Sequence, residues 1–369
     1  MFPLPPIVAA ALVAVALLLA TRLRPPDPIA RALRWGGGTT VTALGWYVLG
    51  ALLGPGLGVL SRGMVDAFAP VLAVAIGWAA ARAGAELARP EEERGPWSLS
   101  EIVAAIAAFL VPMALLTAAA RVLLMPSIEH WTVIGPAIAT LAGALALAGA
   151  GTRRLTPGSF VLVLAAVIAL FLLPDPSRAD LKRLGLAAGV ALAGVALCTV
   201  IAARLAHRAS LLPGTIAALC LAAGIGVVSR LTSLVVCGML GFALARRSLP
   251  HARLAAELRI HEPLVAALLW TFAGASLGGP PLAVAVATGL VALWPVGRRV
   301  IAGAAHTDGT LGLAIALGFA LSAGPALGEW SSAVPTVAAL GFLVVRVIPV
   351  TGGTSERLTP PARRVEVSA

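Results

Sequence analysis

The stretch YVLGALLGPGLGVL, residues 47 to 60, holds no charged residue and is broken internally by Gly54-Pro55-Gly56. Proline supplies no backbone donor and collides with the preceding turn, so a helix broken this way in apolar surroundings needs nearby partners for its freed carbonyls. A soluble protein would hand those groups to water. A chain in lipid has to satisfy them internally, and the rest of the sequence reads as a chain in lipid.

Of the 369 residues, 59% are apolar and 12% charged, and the mean hydropathy is +0.97. A soluble domain carries roughly a quarter charged residues, so no polar shell is available. Apolar runs long enough to cross a hydrocarbon core, about 20 residues each, lie near 5–22, 37–53, 66–86, 99–121, 131–151, 158–173, 184–206, 211–228, 231–246, 262–279, 281–297, 308–323 and 332–350. The fold class is therefore an all-α polytopic membrane protein with about thirteen transmembrane helices. No loop is long enough for a soluble domain. Residues 1–350 read as one transmembrane domain and 351–369 as a disordered tail.

The net charge of +11 is spread as pairs between spans rather than gathered in one patch, which excludes a nucleic-acid binder and makes the bilayer the partner. Of the 27 basic residues, 21 fall on one side of the alternating spans, and only Arg62, Arg121, Arg178, Lys182, Arg183 and Arg230 on the other. Cytoplasmic loops carry the Lys and Arg excess, so the N-terminus is outside and the C-terminus inside. The N-terminal run lacks a basic leader and a small-residue cleavage site, and reads as a retained first helix. The expected location is the cell's inner (plasma) membrane, multi-pass.

Trp35, Trp97, Trp131 and Trp330 fall at span ends, as interfacial anchors do, whereas Trp46, Trp78 and Trp270 are expected between helices. Cys198, Cys220 and Cys237 sit inside apolar spans without CxxC spacing and read as small buried apolar residues. The five histidines lie in loops or at helix ends without ligand spacing, so no metal or cofactor is implied. No nucleophile triad, paired carboxylates or HExxH is visible, which argues against an enzyme.

The order LGALLGPGLGVL, ARAGAELARP, LTSLVVCGMLGFALARR (231–247), LRIHEPLVAALLWTFAGASLG, HTDGTLGLAIALGFALSAG (306–324) and VPTVAALGFLVVRVIP (334–349) resembles the monovalent cation/proton antiporters, or sodium/hydrogen exchangers. The resemblance spans nearly the whole chain. It implies an inverted-repeat architecture with core and panel subdomains, spans 2 to 6 against 9 to 13, exchange of a monovalent cation for a proton, and a homodimer. Its acidic site does not carry over: Leu141, Ile168 and Ala169 stand where the family places its core acids. None of the sixteen acidic residues lies in the central third of a span, although such exchange needs a group that binds both ions.

Two residues remain as ion-path candidates. Thr140 offers a hydroxyl to an ion or bonds back to its own turn, and Glu86 gates a funnel or forms an i, i+4 pair with Arg82. Glu101 and Glu262 begin spans and complement the helix dipole. Two functions follow: a secondary transporter with a rebuilt ion site, or a non-transporting scaffold or partner subunit that keeps the architecture.

Overall fold

The computed structural model describes residues 38–60, 62–87, 181–206, 211–228, 232–247, 258–279, 281, 284–289, 291–292, 310–327 and 330–347. The regular elements among them are all helical: α1 (Gly38–Ala51), a π turn (Leu52–Gly56), α2 (Arg62–Ala67), α3 (Ala69–Leu87), α4 (Leu181–Ala206), α5 (Leu211–Val228), α6 (Ser233–Arg247), α7 (Glu262–Ala275), α8 (Thr310–Leu327) and α9 (Trp330–Val347). Local chemistry sets several ends. Thr232 Oγ1 accepts from the Leu234 N–H at 3.0 Å ahead of α6, and α7 starts with Glu262 followed by Pro263, a residue that needs no donor in the first turn.

The Gly-Pro-Gly break resolves into that π turn, with Pro55 inside it. The carbonyls within the turn are satisfied by the chain folding back: Leu57 N–H donates to Leu52 O at 2.7 Å, Gly58 to Gly54 at 2.8 Å and Leu60 to Leu53 at 2.8 Å. Gly58 takes φ +67°, a left-handed conformation that costs glycine nothing.

Two helix pairs share an unusual crossing. On α1 and α7, a Cβ added to Gly50 would overlap the Thr271 carbonyl oxygen, and one on Gly274 would overlap that of Tyr47. On α3 and α6, Gly84 meets the Gly238 carbonyl and Gly241 that of Ala81 in the same way. Each of these helices thus offers a carbonyl and, three residues later, a glycine. Contacts advance together along both members, from Tyr47–Trp270 to Gly54–Ala275 and from Gly77–Cys237 to Gly84–Phe242, so each pair is parallel. The two crossings also match along the chain, since laying Gly50 on Gly241 and Gly84 on Gly274 shifts the sequence by almost the same amount. In that register Ala83-Gly84-Ala85 and Leu87 match Ala273-Gly274-Ala275 and Leu277, while Leu49-Gly50 and Leu53 match Leu240-Gly241 and Leu244.

Helix α3 touches α5, α6, α7 and α8, and the core forms around it from Leu72, Ile76, Leu240, Phe272 and Phe319. Trp78 and Trp270 are buried here and Trp46 packs against the same cluster, as expected from sequence. Outside the core the helices present apolar faces: Leu186 on α4 is 72% exposed, Val228 on α5 83% and Ile260 ahead of α7 66%. Among the described residues no helix is long and apolar enough to cross a membrane. Helix α4 runs 26 residues, with no charge between Gly185 and Ile201. Cys198 and Cys237 are buried, but Cys220 is exposed, because it falls on the outward face of α5; the expectation that all three are buried is corrected there.

Candidate functional site

The contacts define two ends. The end of α3 meets the end of α6 and the start of α7, while the start of α3 meets the ends of α7 and α8 and the start of α9. At the second end the helices splay around a cavity of about 340 Å³. Its polar lining is Asp66 from α2, Ser276 just past α7, and Ser331 and Ser332 from the first turn of α9; Leu72, Leu317 and Leu321 supply apolar wall. Asp66 is exposed and Leu72 fully buried, so the carboxylate sits toward the rim.

Polar groups continue inward from Ser332. Thr336 Oγ1 donates to Ser332 O at 2.9 Å and accepts from the Gly278 N–H at 3.4 Å. Beside it stands Tyr47, whose ring lies edge-on to Trp270 at 6.4 Å and whose buried hydroxyl lies against the Thr336 side chain. The Tyr47 hydroxyl ends a short line of oxygen atoms running from the cavity toward the α1–α7 crossing.

The opposite end carries an ion pair. Arg82 near the end of α3 forms an ion pair with Glu262, the first residue of α7, with side chains only 13% and 21% exposed. Trp78, one turn earlier on α3, donates from Nε1 to Leu258 O at 3.1 Å and meets His261 edge-on at 5.7 Å. A carboxylate at a helix start is also favoured by the dipole, so the expected end effect of Glu262 coexists with a long-range tie that local spacing did not reveal.

Of the residues singled out from sequence, Thr140, Leu141, Ile168, Ala169 and Glu101 lie outside the described residues, as does the tail 351–369. Glu86 falls in the last turn of α3, with its side chain outside the described set. The ion pair that the structure gives Arg82 runs to Glu262 on another helix, a contact the i, i+4 reading through Glu86 did not contain. The local signal was a charge at each of two helix ends, and only the tertiary fold brings them together.

Span 12 corresponds to α8, which runs without interruption through Gly318. A carbonyl site at an unwound turn is therefore not formed there. Thr271 and Thr199 bond back to Ala267 O and Val195 O of their own helices, at 2.8 and 2.7 Å. Among the described residues no group of three or more His, Cys, Asp or Glu side chains could hold a metal ion.

Chemically, the described lining of the cavity offers hydroxyls and a carboxylate against apolar walls, suited to a small polar or cationic solute. Comparison with protein-family models finds no match, and comparison with curated proteins finds no similar chain. The functional reading is accordingly built from these residues.

Proposed function

We propose that the chain is a multi-pass membrane protein of the secondary-transporter class, built from two halves of opposite orientation, with the cavity as its solute vestibule. The observation that carries this reading is the doubled helix crossing. With Gly50 laid on Gly241, α1 corresponds to α6, and with Gly84 laid on Gly274, α3 corresponds to α7. Within each correspondence the two helices point opposite ways. Two parallel pairs, each joining one helix from either half, are what an inverted repeat produces, and transporters place solute sites where such repeats meet.

Glycine at the crossings also fits lipid, where helices associate through close backbone packing rather than through a hydrophobic drive. The exposed apolar faces of α4 and α5 fit the same solvent. The positive-inside reading of the sequence, with Arg246 and Arg247 at the end of α6 that meets the end of α3, supports an ion-paired end on the cytoplasmic side and a cavity on the outer side.

The solute class drawn from the antiporter resemblance is a monovalent cation exchanged for a proton. Asp66 with Ser276, Ser331 and Ser332 would receive it in place of the acids absent at Leu141, Ile168 and Ala169. The alternative, a non-transporting relative, draws on those replacements and on the unbroken α8. Purified protein in liposomes holding a proton gradient separates the two. Transport predicts that external sodium, potassium or lithium collapses the gradient, and that Asp66→Asn weakens the response. A flat response to all three ions from acid to alkaline pH would sink the exchange reading.

A further inference from the structure

The repeat register gives the ion-paired end a counterpart at the cavity end. With Gly84 laid on Gly274, Arg82 maps onto Phe272, and Leu72 maps onto Glu262. The two members of the ion pair thus correspond to two fully buried apolar residues. Leu72 lines the cavity, and Phe272 is covered by Phe68, with ring centroids 5.5 Å apart. One seam, between α3 and α7, is therefore closed by charge at its cytoplasmic end and floored by hydrocarbon beneath the cavity.

Resting on the transporter reading above, we propose that the Arg82–Glu262 pair is the cytoplasmic gate of that seam and that the described conformation is the outward-open one. The pair bridges helices from different halves, so it holds only while those halves are closed at this end. Trp78 reinforces it by binding the backbone just before α7, at Leu258. Opening inward separates α3 from α7 there, exposing two charges to water that can solvate them. An ion pair suits a reversible gate because water replaces its attraction once the seam parts.

The same register names a reporter. Ala275 lines the cavity, and its counterpart at the ion-paired end is Ala85, which is 0% exposed. In the inward-open state Ala85 takes the place that Ala275 holds now.

The test uses the full chain in sealed vesicles, with Cys198, Cys220 and Cys237 replaced by Ala. Ser332→Cys reports the outer cavity and Ala85→Cys the inner seam, each read by its alkylation rate with a membrane-impermeant maleimide supplied from its own side. Gating predicts that Glu262→Gln slows Ser332→Cys and speeds Ala85→Cys by about fivefold or more, as a population shift requires. Arg82→Gln should act alike, and the exchange Arg82→Glu with Glu262→Arg should restore both rates.

Rates unmoved by Glu262→Gln while the unfolding temperature falls would make the pair a structural tie and overturn the gate alone. Both reporters speeding together would mean loosened packing, which also overturns it. An inert Ser332→Cys in the cysteine-replaced chain that keeps Arg82 and Glu262 would refute the open vestibule, and with it the transporter reading itself.

Discussion

Replacing Gly241 by alanine adds one methyl group where the Ala81 carbonyl oxygen already lies, with the carbonyl carbon 2.6 Å and the Cα 2.7 Å from the new atom. All three neighbours are backbone, so no side chain can rotate away. Restoring van der Waals separation requires α3 and α6 to part by on the order of 1 Å along their closest contact. Overpacking of this kind costs about 1–3 kcal/mol. The control is Gly224→Ala on α5, where a Cβ would meet nothing within 4 Å. There the same change should stabilise by up to about 1 kcal/mol, because alanine is the better helix former.

Reversible unfolding in mixed micelles with rising SDS reads both, and the two variants should separate by about 2 kcal/mol or more in opposite directions. The repeat register extends the expectation: Gly50→Ala, Gly84→Ala and Gly274→Ala belong with Gly241→Ala. Equal effects from Gly241→Ala and Gly224→Ala would refute the close-approach argument. A cost at Gly241 with none at Gly50 would refute the equivalence of the two crossings.

Trp78→Phe keeps the ring near His261 but strands the Leu258 carbonyl, and should cost about 1–3 kcal/mol in the same unfolding assay. Gly58→Ala meets no steric obstacle, so its cost of about 1–2 kcal/mol should come from the positive φ alone, and Gly58→Asn should cost less. Cys220 should react with a lipid-soluble maleimide and resist a charged one in vesicles. Equal reaction with both would place that face of α5 in water and count against the membrane reading.

The helices were legible because long uncharged runs impose them whatever the partner. Spans 2, 3, 7, 8, 9, 10, 12 and 13 each contain a described helix. What sequence could not supply is pairing. The spacing of Arg82 and Glu86 is legible locally, but the pairing of Arg82 with Glu262 forms only once everything between α3 and α7 has been threaded into place. The cavity serines were equally silent. Ser276 follows a helix and Ser331 and Ser332 begin one, positions where serine is commonplace, and only their convergence gives them meaning. Conversely, the Gly-Pro-Gly break was conspicuous in sequence but proves self-satisfied, since its carbonyls find donors within the next few residues.

The crossed pairing of helices also orders events in time. Gly84 rests on Gly238 and Gly50 on Thr271, and both partners belong to the later half of the chain. At about 5–20 residues per second, a ribosome supplies these partners roughly 8 to 45 s after the glycines themselves emerge. On the membrane reading proposed above, α1 and α3 would stand in the bilayer during that interval with their backbone grooves facing lipid tails. The early half of the chain is thus made long before its partners, and on that reading a change in α6 or α7 that blocks docking would leave the first half stranded for membrane quality control to find.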